Sequence, residues 1–184
     1  MYIVDWPVTK AYWEPCFKYI VQCFKRGAFE RVGGTFVYRM KSGKARYYVV
    51  AKKYAGEYHI YGWFFLCQLR SFLAWSIEQS FIFVDHRGDG WSKVLYKAVI
   101  EDEGLILASG PQQTKTARIM WKRMIAKGRY TIFAYDFKNG LIADVIYDPD
   151  NDELHCKLQV YDRHMNYQTA QRDVRFLAVQ KESK

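Results

Sequence analysis

The sequence predicts an α+β protein, an α/β arrangement in which a mixed, mostly antiparallel central sheet is flanked by helices and extended by extra C-terminal β segments. Three observations carry this expectation. Runs rich in Val, Ile, Tyr, Phe and Trp recur between turn residues over 34–66 and again after Gly128. Three other segments space their apolar residues at intervals of three and four, the stripe of a helix laid on a sheet. Half of the 184 residues are apolar and 18% are aromatic, which is far from the composition of a disordered chain and sufficient for one core.

Taken in order, "MYIVDW" reads as a short strand. "EPCFKYIVQCFKRG" then sets Phe17, Ile20, Val21 and Phe24 on one helical face, with Pro15 near the start and Gly27 at the stop. "GTFVYRM", "ARYYVVAKK" and "EYHIYGWFFL" follow as an antiparallel meander turned by "KSGK" and "YAGE". "SIEQSFIFV" is a further strand, and the helix after it aligns Trp91, Val94, Leu95, Ala98 and Val99. Tyr96 then reads as an amphipathic surface residue. After the short strand "LILAS", the segment "QQTKTARIMWKRMIAKG" forms a helix lined by Ala117, Met120, Trp121, Met124 and Ile125, with basic residues opposite. "RYTIFAYDF", "LIADVIYD", "ELHCKLQVY" and "VRFLAVQ" read as mostly antiparallel strands, the first pair joined at Asn139-Gly140.

No internal repeat and no linker rich in Pro, Gly or Ser divides the chain, so a single domain over 1–184 is expected. Its parts are an N-terminal strand, helix and meander (1–66), a strand-turn-helix core (75–128) and a C-terminal β elaboration (129–184). Cys16, Cys23, Cys67 and Cys156 form no CxxC pair, which speaks for a reducing compartment. No basic-then-apolar leader opens the chain, and the longest apolar run, "YGWFFLC", is too short for a membrane span. A cytoplasmic protein without a membrane partner is the expectation.

The formal charge of +9 favours encounter with phosphorylated ligands, nucleic acid or acidic protein faces without choosing among them. Residues 1–50 hold nine basic and three acidic side chains, so any basic field draws mainly on the N-terminal quarter.

The chemistry-bearing candidate is "FVDHRGDGWSKVLYKAVIEDEG", residues 83–104, where a β segment passes through two closely spaced glycines into a helix. Glycines there remove Cβ atoms that would keep a ligand off the backbone, and first-turn amides carry partial positive charge. A pyrophosphate suits that environment, although Gly-x-Gly before a helix is also an ordinary tight turn.

With Arg87, Gly90 and Ser92 in place, this segment resembles motif A of the GNAT superfamily of acyl-CoA-dependent N-acyltransferases, whose signature is Arg or Gln, two residues, Gly, one residue, then Gly or Ala. The surrounding order is similar too: strand, cradle, helix, strand "LILAS", then a helix opening with Thr114 and carrying Ala117, Met120 and Trp121. The resemblance covers 75–128 and extends back to the meander. It implies a GNAT-like mixed sheet splayed between its fourth and fifth strands, with acetyl-CoA as acyl donor and cofactor. Ile82, Phe83 and Val84 would offer backbone groups to pantetheine, and Arg87, Gly88, Asp89, Gly90, Trp91 and Ser92 would form the pyrophosphate cradle. Two departures stand out. Ser92 replaces the usual Gly or Ala, and only two residues separate Val84 from Arg87.

Acyl transfer to an amine needs the amine deprotonated and the leaving thiolate protonated. In the family a Tyr on the helix after the fifth strand often protonates the thiolate. The matching place here holds Trp121, whose indole cannot act as that acid and is expected in the core. Glu78, on the presumed fourth strand, is the candidate base, although it reads more readily as a solvent-facing strand carboxylate; Tyr130, which could approach the cleft from the sixth strand, is the other catalytic candidate. Asp85 and His86 could relay a proton, and Tyr135 could approach the cleft. The alternating Asp148, Asp150 and Asp152 of "DPDNDE" lack the Gly and terminal Glu of a calcium loop and read as a polar turn. No metal site is expected.

Two functions follow. One is an N-acetyltransferase with an undefined amine acceptor. The other is a catalytically inactive interaction protein on the same fold with a protein partner, since small basic aromatic-rich chains of this sort look like accessory proteins of tailed phages. A nucleic-acid partner has charge alone behind it.

Overall fold

In chain order the elements are β1 (Tyr2–Ile3), α1 (Lys10–Lys25), β2 (Glu30–Val32), β3 (Val37–Ser42), β4 (Ala45–Tyr54), β5 (Glu57–Gln68) and β6 (Ala74–Ile82). A turn of 3-10 helix (Val84–His86) leads to α2 (Trp91–Lys97), which runs on into a π-helical turn (Ala98–Asp102). Then come β7 (Ile106–Ala108), β8 (Gln112–Gln113), α3 (Lys115–Ala126), β9 (Tyr130–Asp136), β10 (Leu141–Asp148), β11 (Glu153–Cys156) and β12 (Val174–Gln180). This computed structural model describes residues 2–3, 10–69, 73–110, 112–113, 115–137, 139–151, 153–156 and 174–181. Val4 to Trp6 of the first expected strand, Thr114, Asp152, His164 and the later half of "ELHCKLQVY" lie outside them. The protein is mixed α+β, its sheet mostly antiparallel, and it divides into two compact units, one of residues 7–104 and one of 1–6 with 105–184.

In the first unit, β2 to β6 form an antiparallel meander in sequence order. The turns obey backbone chemistry: Gly43 and the Ala55-Gly56 pair take positive φ, as tight hairpins between right-twisted strands require. β2 escapes sequence reading because it is three residues long with only Val32 buried. α1 begins earlier than its proline suggests. Pro15 sits inside the helix rather than at its start, although its ring removes one N–H from the ladder. The end is as expected: Gly27 adopts φ +68, its N–H donates to Phe24 O (3.0 Å), and the Ala28 N–H donates to Cys23 O (3.0 Å), a Schellman closure.

α1 covers one face of this sheet. Ile20 packs with Val49, Ala51, Trp63 and Phe81, and Trp13, Phe17 and Phe24 extend the contact. The opposite face is covered by α2 and the π-helical turn, where Tyr96 meets Phe64 edge-on at 4.9 Å. Tyr96 is therefore a core residue, 4% exposed, and not the surface residue that the helical spacing suggested. The cause is coverage on a broad front: Leu95, Tyr96, Ala98, Val99 and Ile100 are all buried, and the wider π turn brings consecutive residues inward where a regular helix would turn some of them out. With both faces covered, the central part of β5 reads as a continuous apolar run, and Trp63, Phe64 and Leu66 are fully buried.

In the second unit the strands lie in the order β7, β12, β9, β10, β11. β12, the last in sequence, is thus inserted between β7 and β9 and is antiparallel to both. β9 alternates as a strand with one dry face should, with Tyr130, Ile132, Ala134 and Asp136 buried. α3 lays Trp121 (1% exposed) on Phe176 at 5.7 Å, so Trp121 is a core residue as the sequence suggested. Buried Ser109 joins β7 to β12: its N–H donates to Phe176 O (2.8 Å), and its Oγ accepts the Phe176 N–H (3.0 Å). The turn after β9 is organised by Asp136, whose carboxylate accepts the Asn139 side-chain amide at 2.7 Å and backbone amide at 3.2 Å. β1 and β8 form a separate parallel pair. No helix among the described residues is long and apolar enough to cross a membrane.

Candidate functional site

The segment from Ile82 to Ser92 is held by two backbone irregularities upstream. Between β4 and β5 the register shifts after Val50, so that Gly62 pairs with Val50 and Ile60 with Ala51, leaving Tyr61 in a bulge. Bulges re-aim side chains, and this one turns the Tyr61 ring onto Trp91, stacked at 4.6 Å and 24°, with His86 edge-on at 4.6 Å. The Tyr61 carbonyl accepts the N–H of Phe83 at 3.0 Å, which ties the exit of β6 to the bulge. Gly62 makes that closeness possible. A Cβ there would collide with the Phe81 carbonyl and the Ile82 side chain.

From Ile82 onward the chain folds on itself. His86 N–H donates to Phe83 O (2.9 Å), and Arg87 N–H donates to Val84 O (3.1 Å). The Arg87 guanidinium reaches back through Nε to Ile82 O at 3.3 Å, so this exposed side chain braces the end of its own strand. Carbonyls of Ile82, Phe83 and Val84 thus accept internal hydrogen bonds, and the Phe83 side chain is turned into the aromatic cluster under α1, 5.3 Å from Trp13. Val84 is exposed.

Gly88 and Gly90 take φ +99 and +84, a conformation that costs an L-residue about 1–2 kcal/mol, and the space above both is open. Gly90 is the N-cap of α2 and offers no side chain for capping; its carbonyl accepts the N–H groups of Lys93 (2.9 Å) and Val94 (3.3 Å). The backbone N–H groups of Gly88, Asp89, Gly90, Trp91 and Ser92 have no acceptor among the described residues. His86 Nδ1 stands 3.6 Å from the Asp89 carboxylate, both part-exposed.

Around this turn lies a group of rings and a cation that no local sequence pattern announces. The Lys52 ammonium is 4.9 Å from the centroid of the Phe36 ring, 5.2 Å from Trp91 and 5.9 Å from Tyr61. Burial, then a hydrogen bond with Tyr54, raises the Tyr61 phenol above its ordinary pKa. The Trp91 indole N–H is buried without an acceptor.

The candidate proton-transfer residues are placed differently. Glu78 is exposed on β6 at the second register shift, where Gln79 pairs with Phe65 and Ile77 with Leu66; its charge helps raise the Cys67 thiol pKa behind burial. Ile82 lies four positions further along the strand, about 13 Å along the backbone. Tyr130 opens β9 in the other unit, 8% exposed, with Arg129 over its ring at 5.8 Å. Tyr135 packs edge-on against Phe137 at 4.6 Å. The aspartate turn after β10 is self-capped, Asp148 accepting the backbone amide of Asp150 (2.9 Å) and the side-chain amide of Asn151 (2.9 Å). All four cysteines are free thiols, and burial pushes Cys16 up to about 11. No group of acidic, histidine and cysteine side chains among the described residues is arranged to hold a metal ion.

A scan of protein-family models finds no match to this chain, and no curated protein and no solved structure matches it.

Proposed function

We propose that the turn from Arg87 to Ser92 is a pyrophosphate cradle and that the protein is a GNAT-like N-acyltransferase, moving an acetyl group from acetyl-CoA to an amine. The observation that carries this reading is the row of five successive N–H groups, Gly88 to Ser92, without acceptors among the described residues, in a turn whose Gly88 and Gly90 have open space where a Cβ would stand. Successive backbone donors without partners at a helix start carry partial positive charge, which favours an anionic oxygen as their acceptor. The order of β6, turn, α2, β7 and α3 is the order that the resemblance implies.

In the reaction, the amine nitrogen attacks the thioester carbonyl; a C–N bond forms, the C–S bond breaks, and the thiolate takes a proton as the ammonium loses one. The chain's contribution is to hold the phosphates and so fix the thioester against the acceptor, a positional effect that by itself reaches several kcal/mol.

Catalytically inactive use of the same fold, as a module that binds another protein, is the second reading. It is favoured by Trp121, an indole in the core where the family places a phenol. Release of free thiol from acetyl-CoA, followed in the presence of mixed amines and protein acceptors, separates the two. Turnover that disappears in Gly90→Trp supports the transferase; acetyl-CoA binding without thiol release supports the second reading.

A further inference from the structure

We propose that a second copy of this chain docks on it head to tail, the outer face of α3 in one copy lying on the open face of β10 in the next. Both surfaces belong to the second unit, so the proposal stands apart from the turn at Gly88–Ser92.

The charges of this unit are sorted along the chain. Residues 115–129 carry six basic side chains and no acidic one, whereas residues 139–156 carry five acidic side chains and no basic one. The outward stripe of α3 is Thr116, Ile119, Arg123 and Ala126, all exposed, and Arg123 has no acidic partner among the described residues. On β10 the register settles which side is open. Ala143 pairs with Ala134, and Ala134 pairs with Phe176, whose ring meets Trp121 of α3. Alternation therefore turns Ile142, Asp144 and Ile146 to the face away from α3. Ile142 and Ile146 are more than half exposed, and the exposed Asp144 between them has no cationic partner among the described residues.

Within one chain these two surfaces face apart, so only another copy brings them together. Their spacings agree. Asp144 lies two strand residues, about 7 Å, from each isoleucine, and Arg123 lies one helical turn, about 6 Å, from Ile119. Setting Ile119 against Ile142 or Ile146 therefore carries the Arg123 guanidinium to the Asp144 carboxylate, so that apolar groups cover each other and each charge meets its opposite. A nucleic acid answers the helix alone: its phosphates would meet Ile119, and the acidic strand face would stay uncovered. Because the contact joins two different patches, it is heterologous and leaves a free helix face and a free strand face on each pair of copies, for a ring or a filament to grow from.

The test is analytical ultracentrifugation of the wild type, Arg123→Glu, Asp144→Lys and an equimolar mixture of the two variants, with circular dichroism verifying that each is folded. At low salt the wild type is expected to sediment as dimers and larger species, with a dissociation constant per contact on the order of 100 μM. That contact should weaken by about tenfold or more in roughly 1 M salt. Each variant alone should be monomeric at concentrations where the wild type associates. The mixture should associate again, because the native helix of Asp144→Lys meets the native strand face of Arg123→Glu, and the two reversed charges also attract. Association retained by either variant alone, or a mixture that stays monomeric where the wild type associates, overturns the head-to-tail contact. A wild type that is monomeric throughout overturns it too, and binding of a duplex DNA oligonucleotide by that monomer through Arg123 would give α3 to a polyanion instead.

Discussion

Arg39 holds both oxygens of Glu103 with a single guanidinium nitrogen, at 2.6 and 2.7 Å, across 64 residues of sequence. Its other terminal nitrogen takes Glu30 at 2.6 Å, and Arg46 Nη1 stands 3.5 Å from Glu103 while its guanidinium lies 4.0 Å from the Trp75 ring. Glu103 directly follows the π-helical turn, so this cluster fastens the end of that turn to β3 and β4. Side chains of Arg39, Arg46 and Glu103 are only 13–18% exposed. Removing the carboxylate leaves Arg46 without its acidic partner and Arg39 with only the exposed Glu30 as counter-charge. We expect Glu103→Gln to lower stability by about 2–3 kcal/mol in urea denaturation, and the apolar pair Arg39→Met with Glu103→Leu to cost less than Glu103→Gln alone. A cost in the double variant equal to or larger than that of Glu103→Gln would show that the charges themselves are needed.

Gly62→Ala tests the close approach of β5 to β6. The added methyl meets the backbone carbonyl of Phe81, which cannot swing aside as a flexible side chain would. The expected loss is about 2–3 kcal/mol, or failure to fold, whereas Gly43→Ala in an open hairpin turn costs about 1 kcal/mol through its φ of +58 alone. Similar losses in both variants would contradict the packing account.

Alkaline pH tests the buried phenols. Burial, reinforced by the Glu103 charge, pushes Tyr48 up to about 12, and burial pushes Tyr96 up as well. A phenol whose folded pKa is raised contributes stability that is complete below its unfolded value of about 10 and is lost as pH rises toward the folded value. Unfolding free energy should therefore fall between about pH 10 and 12, Tyr48 accounting for roughly 2–3 kcal/mol of the change. Tyr48→Phe removes its share of that slope, read by urea denaturation across the range. An unchanged slope would place the effect in other groups.

Ala substitution at Gly88 and Gly90 separates conformation from binding. Each variant meets no steric obstacle, so the stability cost should be the φ term alone, about 1–2 kcal/mol per site. Thermal denaturation checks this. In the same proteins acetyl-CoA affinity should fall by more than tenfold, since a distorted turn disperses the row of donors. Affinity equal to wild type in the folded variants would remove the turn from the binding site.

The elements that the sequence exposes are those whose pattern is local. The hairpin turns at Gly43 and Ala55-Gly56, the Gly27 stop of α1 and the stripe of α3 are each written within a few residues. Tyr96 departs from the surface position that its helical spacing suggests because the stripe assumes one narrow covered face and a regular 3.6-residue period, whereas Leu95, Tyr96 and the π turn that follows are buried together. The insertion of β12 between β7 and β9 has no local signature, because strand order is fixed by pairing at long range. The same holds at the site. Glycines 88 and 90 were legible, while Lys52, Tyr61 and Trp91 come together through a bulge that a period-two reading cannot anticipate. The Arg39–Glu103 pair is equally non-local.

The central claim, that the turn from Gly88 to Ser92 holds the pyrophosphate of an acyl-CoA, is tested most directly by calorimetric titration of acetyl-CoA into the unmodified protein. The account predicts one ligand per chain, bound with a dissociation constant of about 100 μM or tighter and lost in Gly90→Trp. No detectable heat at millimolar acetyl-CoA, or equal binding by the folded Gly90→Trp variant, would contradict it.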